Sequence, residues 1–352
     1  MMRRKPLMTR KTGDSIHLAL SEDRADVYFA RTQEILRKEG LADTVVTMEI
    51  FPERAGILCG MKEVLDLLSI VLPEDAEVWA LEEGESMEAK EVVLRITAPY
   101  SSFGLYETAI LGILAHESGW ATAARECVEA AGDIPVISFG ARHVHPDVSA
   151  RLEYAAIVGG CAGCATPAAA KLAGIEPTGT IPHAMILIFG DTVKATEAFD
   201  RHIDPKVRRI ALVDTFKDEA EESVRVARAL GDRLWGVRLD TPRERGRVTP
   251  DLVKEVRAHL DLAGFKHVKI FVSGGVTPER IRQFAAEGAP VDGYGVGSAI
   301  SSAPPIDFTA DIKAIEGRPI AKRGRIPGIT PNPRLKRVKL RSRSRPGEQG
   351  RN

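Results

Sequence analysis

The chain has 352 residues, 44% of them hydrophobic, and its 49 basic and 49 acidic side chains cancel to a formal net charge of zero. That balance excludes a general nucleic-acid binder, which carries a basic surplus over its folded body, and the apolar content supplies core enough for about two domains of ~150 residues or one large barrel with an appendage. No apolar run approaches the ~18 residues of a membrane span, no signal-peptide stretch follows the basic N-terminus, and four cysteines in so long a chain make no secreted disulfide framework, so a cytoplasmic protein is expected.

Residues 1–20 read as a disordered basic tail, with Arg3, Arg4, Lys5, Arg10 and Lys11 unopposed by any acid over the first dozen positions. Residues 21–132 read as an N-terminal α+β domain. Ala25, Tyr28, Phe29, Ile35 and Leu36 recur at three-and-four spacing before Gly40, which predicts a helix over 21–40. Strands are predicted at 45–50, 76–81 and 92–96, with a short helix near 60–70 and a long one from Phe103 to Ala131. From 133 to 303 the rhythm changes. Apolar segments at 134–139, 210–213, 234–239, 268–272 and 292–296 alternate with helical patterns at 146–158, 217–230, 250–263 and 278–288. Strands alternating with helices, without strict polar alternation, imply parallel β/α units covered on both faces. Polar residues and glycines just past nearly every strand favour an irregular β/α barrel, whose strand ends converge on one face. Residues 304–325 are expected to return to the N-terminal domain. Residues 326–352 carry a charge of +7 and read as a second disordered tail, ending in an Arg-Ser-Arg-Ser run and leaving the body between the tails at −12. The bland reading of that tail is a solubiliser, so no nucleic-acid partner is expected.

The strand ends carry the chemistry. Ser273-Gly274-Gly275 follows one strand and leads into Thr277, Pro278 and Glu279, a helix start. Gly295-Val296-Gly297-Ser298 repeats the device one unit later. Glycines let backbone N–H groups approach an anion closely, so two such turns in tandem point to a phosphate cradle. Asp214 and Asp240 sit at strand ends, the latter with Arg238 two residues before it; such carboxylates can hold ribose hydroxyls, Mg²⁺ or a developing cation, or merely cap the next helix. His183, between small residues and an apolar run, reads equally as a packed or a catalytic histidine. His143 and His145 bracket a strand end without an acid cluster to make a metal site. Cys161 and Cys164 have no second pair to complete a zinc site and no redox context.

As an ordered set, these residues resemble nicotinate phosphoribosyltransferase, of the type II phosphoribosyltransferase family that also holds the nicotinamide enzyme. The resemblance runs from about Asp26 to Arg323 through Asp26-Val27-Tyr28, Tyr106-Glu107-Thr108, Phe139-Gly140-Ala141-Arg142, Gly179-Thr180 with His183, Val213-Asp214-Thr215-Phe216, Val237-Arg238-Leu239-Asp240 and the two glycine turns. It implies that Phe139 and Tyr28 of the other subunit sandwich the base, with Thr180 nearby and Arg142 on the pyridine carboxylate, hence a homodimer with shared active sites. It further implies that Thr166, Arg238, Ser273, Gly274, Gly275, Gly295, Gly297 and Ser298 hold the phosphoribosyl pyrophosphate, with Mg²⁺ bound through the substrate phosphates rather than a protein cage. His183 would be phosphorylated by ATP, coupling hydrolysis to synthesis of nicotinate mononucleotide, and Asp214 or Asp240 would stabilise the ribosyl cation. The rivals are quinolinate phosphoribosyltransferase, which needs additional cations around a diacid base, the nicotinamide enzyme, and a non-catalytic nucleotide sensor.

Overall fold

The computed structural model describes residues 19–340 and divides the chain into two compact units, one holding residues up to Gly119 and from Pro305 onward, the other Trp120–Pro304. The Arg-rich stretch before residue 19 and the Arg-Ser run after residue 340 lie outside the described residues.

The first unit is built on an antiparallel sheet of β1 (Val45–Pro52), β3 (Glu77–Ala80), β5 (Leu94–Pro99), β12 (Phe308–Ile315), β13 (Arg318–Pro319) and β14 (Lys336–Arg337), in the order β13-β12-β1-β5-β3-β14. A separate pair joins β2 (Gly56–Ile57) to β4 (Ser86–Met87). Helix α1 (Val27–Lys38) opens the unit, and α2 (Met61–Val71) buries Met61, Val64, Leu67, Leu68 and Val71, the one-face spacing of an amphipathic helix. These side chains join Val46, Met48, Ile50, Leu94, Ile96, Ile306 and Phe308 in one core. Helix α3 (Glu107–Ala131) begins in this unit and ends in the second.

Residues 326–340, expected as part of a disordered tail, are held instead. Strand β14 pairs with β3, Arg334 bonds Glu91 at 2.8 Å, Lys336 pairs with Glu82 at 2.8 Å and Arg337 with Glu77 at 3.2 Å. Read alone, the basic run lacks apolar period; its partners are acids some 250 positions earlier, which local sequence does not reveal.

Glu107, at the start of α3, shows what burial does to an acid. Desolvation, then Asp311 and Asp26, push its carboxyl up to about 7, with Lys322 opposing. The folded state therefore holds this proton more tightly than the unfolded chain. The resulting stabilisation is complete below the ordinary carboxylate range and is lost as pH rises through about 7. Glu107→Gln is expected to be neutral near pH 4 and stabilising by ~1–3 kcal/mol at pH 8; urea melts at the two values check it, and a variant equally stable to the native protein at pH 8 contradicts the assignment.

The second unit is an all-parallel sheet of β6 (Val136–Ser138), β7 (Gly163–Cys164), β8 (Arg209–Leu212), β9 (Leu234–Leu239), β10 (Lys269–Val272) and β11 (Gly293–Val296), ordered β7-β6-β11-β10-β9-β8. Its helices are α4 (Pro146–Val158), α5 (Pro167–Ala173), α6 (His183–Phe189), α7 (Thr192–His202), α8 (Glu219–Leu230), α9 (Pro250–Leu262), α10 (Pro278–Ala286) and the short α11 (Ser298–Ser301). Among the described residues no pairing joins β7 to β8, so the expected barrel is realised as a half-barrel. Buried Arg209, at the start of β8, ties the segment before it: its guanidinium bonds Asp200 and the carbonyls of Ile203, Asp204 and Val207. Among the described residues no helix is long and apolar enough to cross a membrane.

Candidate active site

Five parallel strands, β6, β7, β9, β10 and β11, end on one cavity of about 390 Å³. Phe139, Arg142, Thr180, Arg238, Asp240, Ser273, Gly274, Gly275, Gly295, Gly297 and Ser298 all line it, so most of the residues singled out in the sequence come together. Ser273 continues the ladder beyond β10, its N–H donating to the Leu239 carbonyl at 2.9 Å. The chain then passes through two left-handed residues, Gly274 (φ 83°) and Gly275 (φ 68°), before the Thr277 hydroxyl caps α10. Only glycine adopts two such conformations in succession without strain. A Cβ on Gly274 would stand 2.9 Å from the Asp240 Oδ1 atom. Among the described residues nothing accepts from the Gly274 or Gly275 N–H groups, whereas both carbonyls receive the Arg280 guanidinium at 3.4 and 3.3 Å. The turn thus offers amides to an anion.

Three side chains are knitted together beside it. The Ser273 hydroxyl accepts from Arg238 at 3.2 Å and donates to Asp240 at 2.9 Å, and Arg238 lies 3.5 Å from the Asp240 carboxylate. Arg238 also donates to the Ile181 carbonyl at 3.3 Å and stands 5.9 Å from the centre of the Phe139 ring. Behind Asp240, buried Glu219 accepts from Thr241 at 2.7 Å and fixes the loop that follows β9. Phe139 is placed by strand pairing: its N–H donates to Val296, and its ring packs against Gly295, where a Cβ would come within 2.4 Å.

The remaining expected residues are placed differently. His183, the first residue of α6, sets its Nε2 atom 3.1 Å from Asp214 Oδ1. Burial raises the Asp214 carboxyl and the His183 contact opposes that rise; the pair stands outside the residues lining the cavity. Thr166, expected on phosphate, is committed elsewhere: its hydroxyl caps α5 and donates to Glu153 at 2.7 Å, while its N–H donates to the same carboxylate at 2.8 Å. Glu153 is fully buried and organises this turn, a role that its position inside α4 concealed. Tyr28 belongs to the first unit, where it is 55% exposed on α1 and packs against Phe29. Cys161 and Cys164 are free and buried, with thiols pushed up by desolvation, Cys164 to about 11.

His143 was missed as a site residue. It lines the cavity and its Nδ1 lies 3.2 Å from the Ser301 hydroxyl. Partial burial, then Arg142 beside it, lower its pKa, so a ligand meets a neutral ring at pH 7. Adjacency to Arg142 was the available signal. In the first unit, Cys59, Glu83 and Glu117 bring one sulfur and two carboxylate oxygens within 4.8 Å of one another. Glu83 already accepts from the Gly60 and Lys62 N–H groups at 3.1 Å, capping α2, and the Cys59 thiol donates to it at 3.4 Å. The cluster is accounted for as a helix cap.

Comparison with known proteins corrects the family expected from the motifs. The family model described as quinolinate phosphoribosyl transferase, C-terminal domain, matches residues 120–311, and the N-terminal domain of the same family matches residues 26–118. A solved structure, nicotinate-nucleotide pyrophosphorylase from Pyrococcus furiosus, is 42% identical, covers 93% of this chain and 82% of its own, and superposes with a TM-score of 0.82. A probable nicotinate-nucleotide pyrophosphorylase (carboxylating) of Archaeoglobus fulgidus is 27% identical over 267 residues, 72% of this chain and 89% of that one. A nicotinate phosphoribosyltransferase of Mycobacterium tuberculosis is 32% identical over 292 residues, 79% of this chain, which spans only 61% of that relative's length. Two matching domains of one family outweigh the resemblance of the motifs. The nicotinate reading, and with it the ATP-driven phosphohistidine at His183, is set aside.

Proposed function

The chain belongs to the quinolinate phosphoribosyl transferase family, and from that premise we propose that it transfers the phosphoribosyl group of phosphoribosyl pyrophosphate to quinolinate, giving nicotinate mononucleotide, pyrophosphate and CO₂ in NAD synthesis. The observation that carries this reading is the convergence of Phe139, Arg142 and Arg238 with two glycine turns on one cavity. A pyridine diacid needs a flat apolar surface and a cation for each carboxylate, and guanidinium forks match carboxylates in shape and charge. Phe139 offers the surface; Arg142 and Arg238 offer the cations, with His143 as a neutral hydrogen-bonding neighbour.

The turns at Ser273-Gly274-Gly275 and Gly295–Ser298 receive the donor's phosphates. The pyridine nitrogen lone pair forms the bond to the ribose anomeric carbon as the bond to pyrophosphate breaks, and pyrophosphate leaves with that electron pair. Positive charge develops on the ribose, where Asp240 stabilises it. The ring nitrogen then carries a positive charge, which stabilises the electron pair left on the adjacent ring carbon as its carboxylate departs as CO₂; that carbon then takes up a proton. Loss of CO₂ makes the sequence irreversible, so ATP has no thermodynamic task in it. Asp240 is the one acid among the residues lining the cavity, and its hard oxygen beside the phosphate turn fits Mg²⁺. When bound to the donor's phosphates, Mg²⁺ neutralises charge on the departing pyrophosphate. A homodimer that shares residues between sites, with Tyr28 reaching a partner's base, remains part of the proposal.

The test supplies phosphoribosyl pyrophosphate and Mg²⁺ with quinolinate, nicotinate or nicotinamide, without ATP. Quinolinate is expected to give nicotinate mononucleotide and CO₂ in equal amounts. Product from nicotinate with none from quinolinate overturns the reading.

A further inference from the structure

Arg247 is one of three non-glycine residues with positive φ among the described residues, at 67°. Such backbone costs an ordinary side chain about 1–2 kcal/mol and persists where surrounding structure demands it. What this strain achieves is visible in the position of the side chain. The Arg247 Nη1 atom lies 1.3 Å from the point where a Cβ on Gly275 would stand, so the guanidinium occupies the space that this glycine leaves open above the phosphate turn. The loop is pinned there: Arg247 N–H donates to Pro242, and Arg280 joins the neighbouring Val248 carbonyl to those of Gly274 and Gly275. Among the described residues no carboxylate pairs with Arg247 and no acceptor meets its guanidinium. A second cation, Arg280, feels its charge: burial and then Arg247 lower the Arg280 pKa. A strained backbone that places an unpaired cation beside a second cation, over amides without acceptors, lacks one component: an anion.

We propose that Arg247 is an anion clamp of the active site, closing over the Gly274–Gly275 turn to grip a phosphate group of the donor. The proposal rests on the phosphoribosyl-transfer reading for the identity of the donor. Arg280 is the strut that fixes the turn to the clamp loop, its own donors being taken up by three carbonyls. Neither residue stands in a recognisable motif. The signal in the sequence was Gly246-Arg247 in the loop after Asp240, eight positions beyond the end of β9 and unremarkable without the fold.

The test measures binding in the full-length protein, apart from catalysis. Calorimetry with ribose 5-phosphate and with pyrophosphate plus Mg²⁺ shows which phosphate the clamp holds. Arg247→Ala is expected to weaken one of the two by about 10–100-fold, the value of a charge-assisted hydrogen bond. Arg247→Gly separates binding from folding. Glycine relieves the left-handed strain, so this variant should melt at or above the native temperature and yet lose the same affinity. Gly275→Ala evicts the guanidinium and should reproduce the defect, with no further loss in the double variant. Unchanged affinity for both ligands in Arg247→Ala, within twofold, overturns the clamp; so does an Arg247→Gly protein that unfolds earlier while binding normally. Because neither ligand contains the base, a failure to use quinolinate leaves this result interpretable.

Discussion

Replacing Asp240 by asparagine is expected to reduce kcat/KM by about 10²–10³-fold while leaving the melting temperature nearly unchanged, the cost of removing one preorganised charge from a developing transition state. The side chain is rigidly held: Ser273 donates to one oxygen at 2.9 Å, and Arg238 stands 3.5 Å from the other. Asparagine keeps the volume and one acceptor but loses the charge, so the loss should fall on kcat more than on donor affinity. Asp240→Glu should not restore activity, because the carboxylate already abuts the place of a Gly274 Cβ at 2.9 Å and a longer side chain has no room to keep the same oxygen there. Steady-state kinetics beside a thermal melt decide it. Turnover within threefold of native in Asp240→Asn removes this residue from the chemistry.

A single methyl group on Gly295 should disable the base pocket. The added Cβ would meet two carbons of the Phe139 ring at 2.4 and 2.6 Å and the Ser273 Cβ at 3.2 Å. Gly295 lies inside β11, between β6 and β10, so its backbone cannot retreat without breaking two ladders. The ring must move, at a cost of about 1–3 kcal/mol for an overpacked site, and with it goes the flat surface proposed to carry the pyridine. Gly295→Ala is therefore expected to raise the KM for quinolinate by at least about tenfold and to unfold at lower urea. Adding Phe139→Ala should recover stability without recovering activity, a coupling that independent sites do not show. Native KM in Gly295→Ala contradicts the placement of the base on Phe139.

The β/α rhythm of the second unit was legible because strands covered on both faces read as apolar runs; β9 falls on the predicted 234–239. The convergence of Arg238, Asp240 and the glycine turns could be read for a related reason: all sit at strand ends, where parallel topology gathers them. Pairing order could not be read, since nothing local tells β11 to lie beside β6. Strand β7 is two residues long, too short for any period. Helix α6 hid because its sequence is apolar around most of its circumference, with Leu187 and Ile188 exposed, and so shows no helical face. The identity of the base failed for a chemical reason. The glycine turns and Asp240 are proposed to serve the donor, which does not change between the two enzymes, whereas Phe139, Arg142 and Arg238, proposed for the base, carry no motif that tells one pyridine acid from another. Thr166 misled because its hydroxyl is claimed by Glu153, thirteen positions away across a helix and a turn.

Both edges of the first unit's sheet end in strands of two residues, Arg318-Pro319 and Lys336-Arg337, each exposed to solvent. A row of free N–H and C=O groups invites another chain to add a strand, and proteins blunt that hazard with short, charged or proline-bearing edges. Here all three devices coincide. The longer strands behind them, β12 and β3, are thereby kept from intermolecular pairing. Cutting the chain before β14 would bare β3 (Glu77–Ala80) and strip the cations from Glu77 and Glu82, so the shortened protein should self-associate at concentrations where the full chain stays dispersed. If the shortened protein behaves so, the sequence tolerance of Lys336-Arg337 should follow ladder geometry rather than charge alone.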